Sequence, residues 1–140
     1  MAKTFHLDIV TAESRIYSGK AEKLFVTGIE GELEVLYNHA PLLTVLSPGP
    51  VWVVNGDKEE GFVIFGGTLE IQPEITIILA DTALRAKDID EASAMEAKVA
   101  TEHAIQNRET NVDYAKARTE LAMAIAQLRT IRKIRQGTKK

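Results

Sequence analysis

The spacing of apolar residues changes near residue 86, and this change limits the folds that the chain can adopt. Before it, Phe5, Leu7 and Ile9 alternate with His6 and Asp8, as in a strand with one buried face. After it, apolar residues recur every three or four positions, as along one side of an α-helix. We therefore expect two units of different kinds, residues 1–86 and residues 87–140.

The first unit is predicted to be a sheet of short strands. Strands are expected at residues 5–10, 23–27, 33–37, 42–46, 51–55, 62–65, 68–72 and 75–80, with turn-forming residues between them. Asn55 and Gly56 give the strongest hairpin signal, because a type I′ turn needs positive φ at both central residues. Many short, closely spaced strands predict an antiparallel β-sandwich or barrel.

The second unit is predicted to be an antiparallel hairpin of two helices. Asp88 can cap the first helix, and Glu91 can complete a capping box. The expected buried positions of this helix are Ile89, Ala92, Met95 and Val99. After a connector at residues 107–111, a second helix is expected over about residues 113–136. Its heptad rhythm is carried by Tyr114, Ala117, Leu121, Ala124, Leu128 and Ile131.

Alanine fills much of the expected contact surface between the two helices. A large apolar side chain contributes roughly 1.5–3 kcal/mol on full burial, and alanine contributes much less. Two helices of this size do not build a robust core on their own. The hairpin is therefore expected to pack on the β unit or on another protein. Two interpretations stay open: a weakly docked, movable hairpin, or close and permanent packing.

Charge is divided unequally between the two units. Residues 1–86 carry six Lys or Arg against twelve Asp or Glu, a net of −6, whereas residues 87–140 carry eleven against eight, a net of +3. From residue 121 onward there are six basic residues and no acidic one. This division argues against a nucleic-acid-binding surface along the whole chain and favours different partners for the two units.

Composition narrows the class of protein further. The chain has no cysteine, which excludes disulfides and cysteine-ligated zinc. No run of about 20 apolar residues is present, and the first six residues lack the apolar segment of a signal peptide. These features favour a cytoplasmic protein.

The sequence contains no recognisable motif for catalysis, and no cofactor is expected. It holds no phosphate-binding loop of the Walker type, no H-E-x-x-H and no G-x-S-x-G. A zinc site would need convergent histidines, but a predicted strand, turn and helix carry His6, His39 and His103. Strand alternation favours a solvated acidic rim over a catalytic carboxylate pair for Glu30, Glu32 and Glu34.

Six segments, in order along the chain, closely resemble the epsilon subunit of bacterial F-type ATP synthases. They are residues 7–11, 31–44, 66–73, 79–83, 113–115 and 124–129. The resemblance implies a β-sandwich followed by a helical hairpin, which agrees with the periodicity. It also implies a non-catalytic subunit of the rotor, or central stalk, which couples proton flow through the c-ring to ATP synthesis.

The resemblance further implies partners for particular residues. The sandwich would bind the gamma subunit and the polar loops of the c-ring. Glu32 and His39 would be rotor contacts, with Glu32 facing the c-ring, and Thr11 and Thr44 would belong to the gamma-facing surface. The chain would then lie at the cytoplasmic face of the bacterial plasma (inner) membrane, attached only through the complex and with no nucleic-acid partner.

In this family the hairpin can extend along gamma into the catalytic head and hinder ATP hydrolysis. The basic end of the second helix would then contact acidic surface on the alpha and beta subunits, an attraction that salt should weaken. The residues concerned are Arg129, Arg132, Lys133 and Arg135. The alternative is that these cations only offset the helix dipole and keep the helix end solvated.

Some family members bind ATP through an I/L-D-x-x-R-A motif, which holds the hairpin retracted. The matching residues here are Ile89, Asp90 and Ala94, with Ser93 at the arginine position. A hydroxyl cannot replace the charge and the donor fork of a guanidinium, so the motif is degenerate. An ATP-sensing module stays as the alternative function, for which Lys98 or Arg118 would have to compensate.

Overall fold

The computed structural model describes residues 3–107 and 114–137. Its first unit is a sheet with the strand order β10-β7-β6-β3-β5-β8-β9-β1-β2, in which β4 pairs with β3. The pairing of β1 with β9 is parallel, and the other described pairs are antiparallel. The ten strands are β1 Phe5–Val10, β2 Arg15–Ala21, β3 Lys23–Gly28, β4 Gly31–Leu36, β5 Leu42–Leu46, β6 Gly49–Asn55, β7 Lys58–Ile64, β8 Gly67–Ile71, β9 Ile75–Ala80 and β10 Ala83–Arg85.

The strands β2 and β10 were not predicted from the sequence. The other eight strands are confirmed, β1, β5 and β9 with the predicted bounds and the remaining five with shifted ends. Both missed strands lie at the ends of the strand order. In β2 only Ala21 is buried, and β10 has only three residues, all partly buried. These strands form by backbone pairing to one neighbouring strand and bury few side chains. Their sequences therefore show little alternation of apolar and polar residues.

The hairpin predicted at Asn55 and Gly56 is present, but its turn type is different. Asn55 pairs with Lys58, so the two central residues are Gly56 and Asp57. Of these two only Gly56 has a positive φ, at 63°. The prediction of a type I′ turn is therefore wrong, and the pattern is that of a type II′ turn with glycine first.

Strand alternation builds one core, which the two ends of the sheet close. The Tyr17 ring on β2 meets the Phe62 ring on β7 edge-on, with the ring centres 5.9 Å apart. The Arg85 guanidinium on β10 donates to the Ile16 carbonyl on β2 and lies over the Phe62 ring. The largest fully buried side chains are Phe62, Leu7, Ile9, Leu24, Ile64, Leu69, Ile71 and Ile78.

Two helices follow a short 3-10 turn at Ala86–Asp88: α1 Glu91–Asn107 and α2 Tyr114–Gly137. The predicted fold class, a β-sandwich followed by a two-helix hairpin, is thus confirmed. Most of the predicted connector lies outside the described residues. In the described part of both helices, no stretch has the length and apolar character that a bilayer crossing needs.

Asp90 caps α1, and the prediction that Asp88 does so is wrong. Asp88 belongs to the 3-10 turn, and Ile89 is extended, which moves the start of the helix two residues further on. One Asp90 carboxylate oxygen accepts a hydrogen bond from the Ser93 N–H at 3.2 Å, and the other accepts from the Ser93 hydroxyl at 3.0 Å. These bonds hold the pKa of Asp90 below its usual range.

The predicted buried side of α1 is also wrong, because Ala92, Met95 and Val99 are exposed. The buried residues of this helix are Ala94 and Thr101. Both sets have helical spacing, so periodicity alone does not distinguish them. Small side chains let two helix backbones approach closely, which favours the Ala and Thr side at the contact with α2.

In contrast, α2 is buried on two opposite sides. Its predicted heptad side is buried or partly buried at each described position: Ala117, Leu121, Ala124, Leu128 and Ile131. On the opposite side, Ala126 and Thr130 are also buried. Since α2 packs on α1, β6 and β7, the helix lies between α1 and the sandwich. The expectation that the hairpin packs on the β unit is confirmed.

Candidate docking surfaces

One outer side of the sandwich, which we call the covered face, lies beneath α2. Its residues are Phe25, Glu32, Pro50, Trp52 and Gly61. Phe25 pairs with Trp52, and Trp52 pairs with Gly61, so these three residues point to the same side of the sheet. The indole lies flat on Gly61, where a Cβ atom would be only 2.2 Å from the ring. The absence of a side chain at Gly61 therefore lets the Trp52 ring lie close to the sheet.

The C-terminal half of α2 contacts this face through two cations. The Lys133 Nζ lies 5.8 Å from the centre of the Phe25 ring. The Arg129 Nη2 lies 4.0 Å from a Glu32 carboxylate oxygen. A cavity of about 230 Å³, lined in part by Thr27 and Pro50, remains beside Lys133. The helix end is thus attached by charge contacts around an incompletely filled space.

The other outer side of the sandwich, which we call the open face, is apolar and uncovered in the described structure. Val45, Thr68, Leu79 and Val10 form one row across β5, β8, β9 and β1. The Ile29 N–H donates to the Val45 carbonyl at 3.0 Å, which places the β3–β4 turn beside this row. The most exposed apolar residues of the face are Leu43 at 72%, Ile29 at 64%, Leu79 at 55% and Val45 at 50%.

A patch of this kind on a single chain indicates an interaction surface. None of its most exposed residues was predicted from the sequence to be a contact residue. The signal was present in β5, where apolar residues at consecutive positions, Leu42 and Leu43 and then Val45 and Leu46, cannot all point into one core. An apolar run without alternation therefore indicated that this strand carries apolar side chains on both sides.

The two threonines predicted to face the gamma subunit lie near the open face but are not part of its apolar surface. Thr11 closes the β1–β2 turn, where its hydroxyl and N–H both contact the Ser14 carbonyl. Thr44 pairs with the buried Leu69, so it lies on the inner side of β5 and is partly buried. Its neighbours Leu43 and Val45 present the outward surface. The structure therefore does not bring the threonines together as one contact patch.

The two predicted rotor contacts lie at opposite ends of β4. Glu32 is near the start of the strand, beside the β3–β4 turn, with a side chain that is 71% exposed. His39 follows the end of the strand, and its Nδ1–H donates to the Ala40 carbonyl at 2.6 Å. Because a strand rises by about 3.3 Å per residue, one small contact does not include both residues.

Three of the four basic residues proposed for inhibition have described side chains. Arg129 and Lys133 contact the covered face, as above. Arg132 lines a groove of about 310 Å³ between α1 and α2, together with Lys98 and Met95. Arg135 belongs to α2, but its side chain lies outside the described set.

The residues of the degenerate ATP motif do not line that groove. Asp90 and Ser93 bond to each other at the helix cap, and Ala94 is buried at the start of α1. Ile89 lies in the extended link before the helix. The groove is instead lined by three cations, Lys98, Arg129 and Arg132, and by the Glu91 carboxylate, around apolar side chains. An anion would therefore meet the groove through residues outside the motif.

A Ser, His and Asp cluster on the outer surface of β1 and β2 lacks the geometry of a catalytic triad. The His6 Nε2 lies 3.0 Å from an Asp8 carboxylate oxygen and 3.5 Å from the Ser18 hydroxyl. A relay needs these partners on different ring nitrogens, so that one is held while the other transfers the proton. Hydrogen bonding from Ser18, and then from His6, holds the pKa of Asp8 below its usual range. The cluster stabilises an ionised carboxylate.

Other polar clusters do not converge on a reactive centre either. A cleft of about 740 Å³ lies beside the junction of the two units, and three of its charged groups, Glu59, Glu60 and Arg85, are engaged. Arg85 pairs with Glu60 at 3.2 Å, and the Trp52 indole N–H donates to Glu59 at 3.4 Å. Within residues 3–107 and 114–137, no three His, Asp or Glu side chains are grouped as metal ligands.

Comparison with solved structures places the fold among ATP synthase subunits. The chain aligns with a subunit in the structure of the Euglena gracilis mitochondrial ATP synthase, which contains OSCP, F1 and the c-ring. The TM-score is 0.73 at 20% identity, over 96% of this chain and 81% of the other. A chain in the central stalk and c-ring structure from Tetrahymena thermophila gives a TM-score of 0.62 at 13% identity, over 92% and 97%. At these identities the likeness establishes the fold alone.

Sequence comparison is more specific. Residues 4–86 match the family model of the ATP synthase delta/epsilon chain β-sandwich domain, and residues 87–132 match that of its long α-helix domain. An ATP synthase epsilon chain from Chromohalobacter salexigens is 49% identical over 134 residues, which is 95% of each chain. ATP synthase epsilon chain 1 from Methylococcus capsulatus is 50% identical over 138 residues, 98% of this chain and 99% of its own. The chain therefore belongs to the delta/epsilon family of ATP synthase subunits, and within it to the epsilon chains.

Proposed function

We propose that the chain is a non-catalytic subunit of the central stalk in a bacterial F-type ATP synthase. Residues 1–86 act as the anchor that turns with the rotor and couples proton flow to ATP synthesis. Residues 87–140 act as a regulatory hairpin that inhibits ATP hydrolysis. The complex holds the chain at the cytoplasmic face of the plasma membrane.

The open face is the observation that carries the anchoring role. Its four most exposed residues are large aliphatic side chains that are 50–72% exposed, so a partner that buries them gains much of the roughly 1.5–3 kcal/mol that full burial gives each. A rotor subunit transmits torque, which requires an attachment stronger than rim charges provide. We assign the gamma subunit to this apolar surface, with Thr11 at its margin and Thr44 on the inner side of β5 between the contacting Leu43 and Val45.

The acidic turn beside the open face suits a second, polar partner. Glu30 and Glu32 are exposed around Ile29 at the tip of β3 and β4. The polar loops of the c-ring are assigned to this end, with Glu32 as a contact. His39 lies at the other end of β4 and is assigned to the rotor separately from Glu32. Exposed ion pairs of this kind add only about 0–1 kcal/mol each, so they orient the subunit more than they hold it.

The weak docking of α2 supports the inhibitory role of the hairpin. Ala126 and Thr130 form the buried side toward the sandwich, and such small residues bury little apolar surface. A small difference in free energy between docked and extended hairpin allows both to be populated. When extended, the cations of α2 are free to contact acidic surface on the alpha and beta subunits.

The test compares ATP hydrolysis by the cognate catalytic complex with the full chain and with a chain ending at Ala86. The proposal predicts that both bind the stalk and that only the full chain inhibits. Equal effects of the two proteins would remove the inhibitory role from the hairpin. Failure of both to bind would contradict the stalk assignment. A full chain with Leu43→Asp provides the control that should neither bind nor inhibit.

An ATP-sensing module is the second candidate, and the groove between the helices favours it. Three cations, Lys98, Arg129 and Arg132, line this groove against one carboxylate, Glu91. Ser93, however, replaces the motif arginine and bonds to Asp90. Calorimetric titration with MgATP separates the candidates. MgATP binding that is lost in Lys98→Gln and in Arg132→Gln, but kept in Arg118→Gln, would support an ATP sensor. A titration of the parent chain that shows no heat of binding at millimolar ATP would contradict it.

A further inference from the structure

We propose that the hairpin is held in its docked position by a two-part electrostatic latch. One part joins Arg129 to Glu32, and the other places Lys133 over the Phe25 ring. The latch itself is a property of the isolated chain. Its consequence for inhibition rests on the proposed function of the hairpin.

The fully buried residues on the helix side of the docking contact are small, so contacts of modest strength add measurably to the docking of α2. Ala126 and Thr130 are the fully buried residues on the sandwich side of the helix. The Thr130 hydroxyl donates to the Ala126 carbonyl at 2.8 Å, within the helix, and so forms no bond across the contact. The cavity of about 230 Å³ beside Lys133 removes further packing.

The two cations of the latch act together because they are four residues apart. Arg129 and Lys133 therefore lie on one side of α2, one turn from each other. The opposing strand β4 presents Glu32 and Glu34 on its exposed side. An aromatic ring next to this acidic strand gives Lys133 a favourable position that an aliphatic residue would not provide.

Both parts of the latch use residues that are also assigned to other partners. Arg129 and Lys133 are proposed to contact the catalytic head, and Glu32 is proposed to contact the c-ring loops. A guanidinium that pairs with Glu32 is not available to acidic surface on the head. Docking and inhibition are thus competing uses of the same two cations, and the latch sets the fraction of chains free to inhibit.

The population of the docked hairpin can be measured in the full-length isolated chain by electron–electron distance spectroscopy. The chain has no native cysteine, so Glu70→Cys and Ala97→Cys give one label on each unit at exposed positions. The latch predicts that Glu32→Gln and Phe25→Leu each lower the ratio of docked to undocked hairpin by about two- to fivefold. The charge-swapped chain, Glu32→Arg with Arg129→Glu, should recover most of the docked population.

Matched controls separate the latch from a general effect of charge. Glu30→Gln removes an exposed carboxylate two residues from Glu32, and Arg118→Gln removes a cation from the same helix; neither has a role in the latch. Both should leave the ratio unchanged. Equal shifts in the controls and the latch variants, or unaltered ratios in both Glu32→Gln and Phe25→Leu, would overturn the latch.

A second arm tests the competition in the assembled complex. Phe25→Leu leaves every proposed partner contact intact, so it should inhibit ATP hydrolysis two- to fivefold more strongly than the parent chain. Unchanged inhibition with a shifted hairpin population would overturn the competition. The distance measurement is made on the isolated chain, without the other subunits of the complex. Failure of the chain to bind the stalk would therefore contradict the proposed function, and the test of the latch would still be valid.

Discussion

The two outer faces of the sandwich differ in what covers them and in how strongly a cover can bind. The covered face carries aromatic and proline side chains and is closed by the chain's own helix through Ala126 and Thr130. The open face carries Leu43, Val45 and Leu79 and has no cover within the described structure. Small residues make a weak, reversible contact, whereas large aliphatic residues make a strong one. Under the proposed function, the covered face carries a movable element and the open face a durable attachment.

The largest expected effect comes from placing a charge in the open face. Leu43→Asp should lower affinity for the stalk at least 100-fold, about 2.7 kcal/mol, because apolar burial is lost and a carboxylate is desolvated. Binding to the gamma-containing complex measures this change. Leu36→Asp is the matched control, because Leu36 is exposed but lies outside the open face. This variant should bind the stalk as the parent chain does. Equal losses in both variants would mean that the open face has no special role.

A larger residue on the buried side of α2 should undock the hairpin. Ala126→Leu has no room against the sandwich, and overpacking costs about 1–3 kcal/mol. The hairpin should shift to the undocked state, seen as faster hydrogen exchange in α2, while the sandwich keeps its protection. Ala97→Leu, at an exposed position of α1, should leave exchange unchanged. Protection of α2 that survives Ala126→Leu would contradict weak docking.

A change in the shared core should affect neither face. The Thr76 hydroxyl is buried without a hydrogen-bond partner. Thr76→Val keeps the shape of the side chain and removes the unsatisfied group, which should raise the free energy of unfolding by about 1 kcal/mol. Urea unfolding of the full chain checks the gain, and stalk affinity should stay as in the parent. A destabilised variant would show that the hydroxyl has a partner in solution.

The smallest effect concerns acid stability at the edge of the open face. Hydrogen bonds from Ser18 and His6 lower the pKa of Asp8 below its ordinary value of 3.8. A carboxyl with a lowered pKa in the folded state stabilises the fold above the unfolded pKa and loses this contribution as the pH falls through the folded pKa. The parent chain should therefore lose more stability below about pH 4 than Asp8→Asn does. Thermal unfolding from pH 6 to pH 2 measures how the stability of each chain changes with pH. The same pH dependence in the parent chain and in Asp8→Asn would contradict a lowered pKa of Asp8.

Local patterns predicted the elements well where side chains alternate or repeat with a clear period. Eight strands and both helices were accessible because these patterns depend on neighbours in the sequence, whereas the family was indicated only by the resemblance of six segments. The strands β2 and β10 were missed because partners distant in sequence form them. The Asp88 cap was wrong because two aspartates, Asp88 and Asp90, offered similar signals, and the 3-10 turn used the first.

The candidate surfaces were predictable only in part. The acidic turn around Glu32 and the basic end of α2 followed from the sequence, but their contact through Arg129 did not. The resemblance assigned Thr44 to the gamma-facing surface, and the register with Leu69 places it on the inner side of β5. A one-residue shift in a strand reverses the side, so the exposed Leu43 and Val45 required the register to be known.

The sequence by itself determined that a β unit precedes a helical hairpin, that the two units carry opposite net charge, and that the helices are rich in alanine. The spacing of apolar residues, the composition and the net charge are read directly from the sequence, and they do not depend on how the elements pack. The tertiary structure decided which side of α1 is buried, gave α2 its second buried side and left one face of the sandwich open. Several sides of similar apolar character were available, and only packing between residues distant in sequence selects among them.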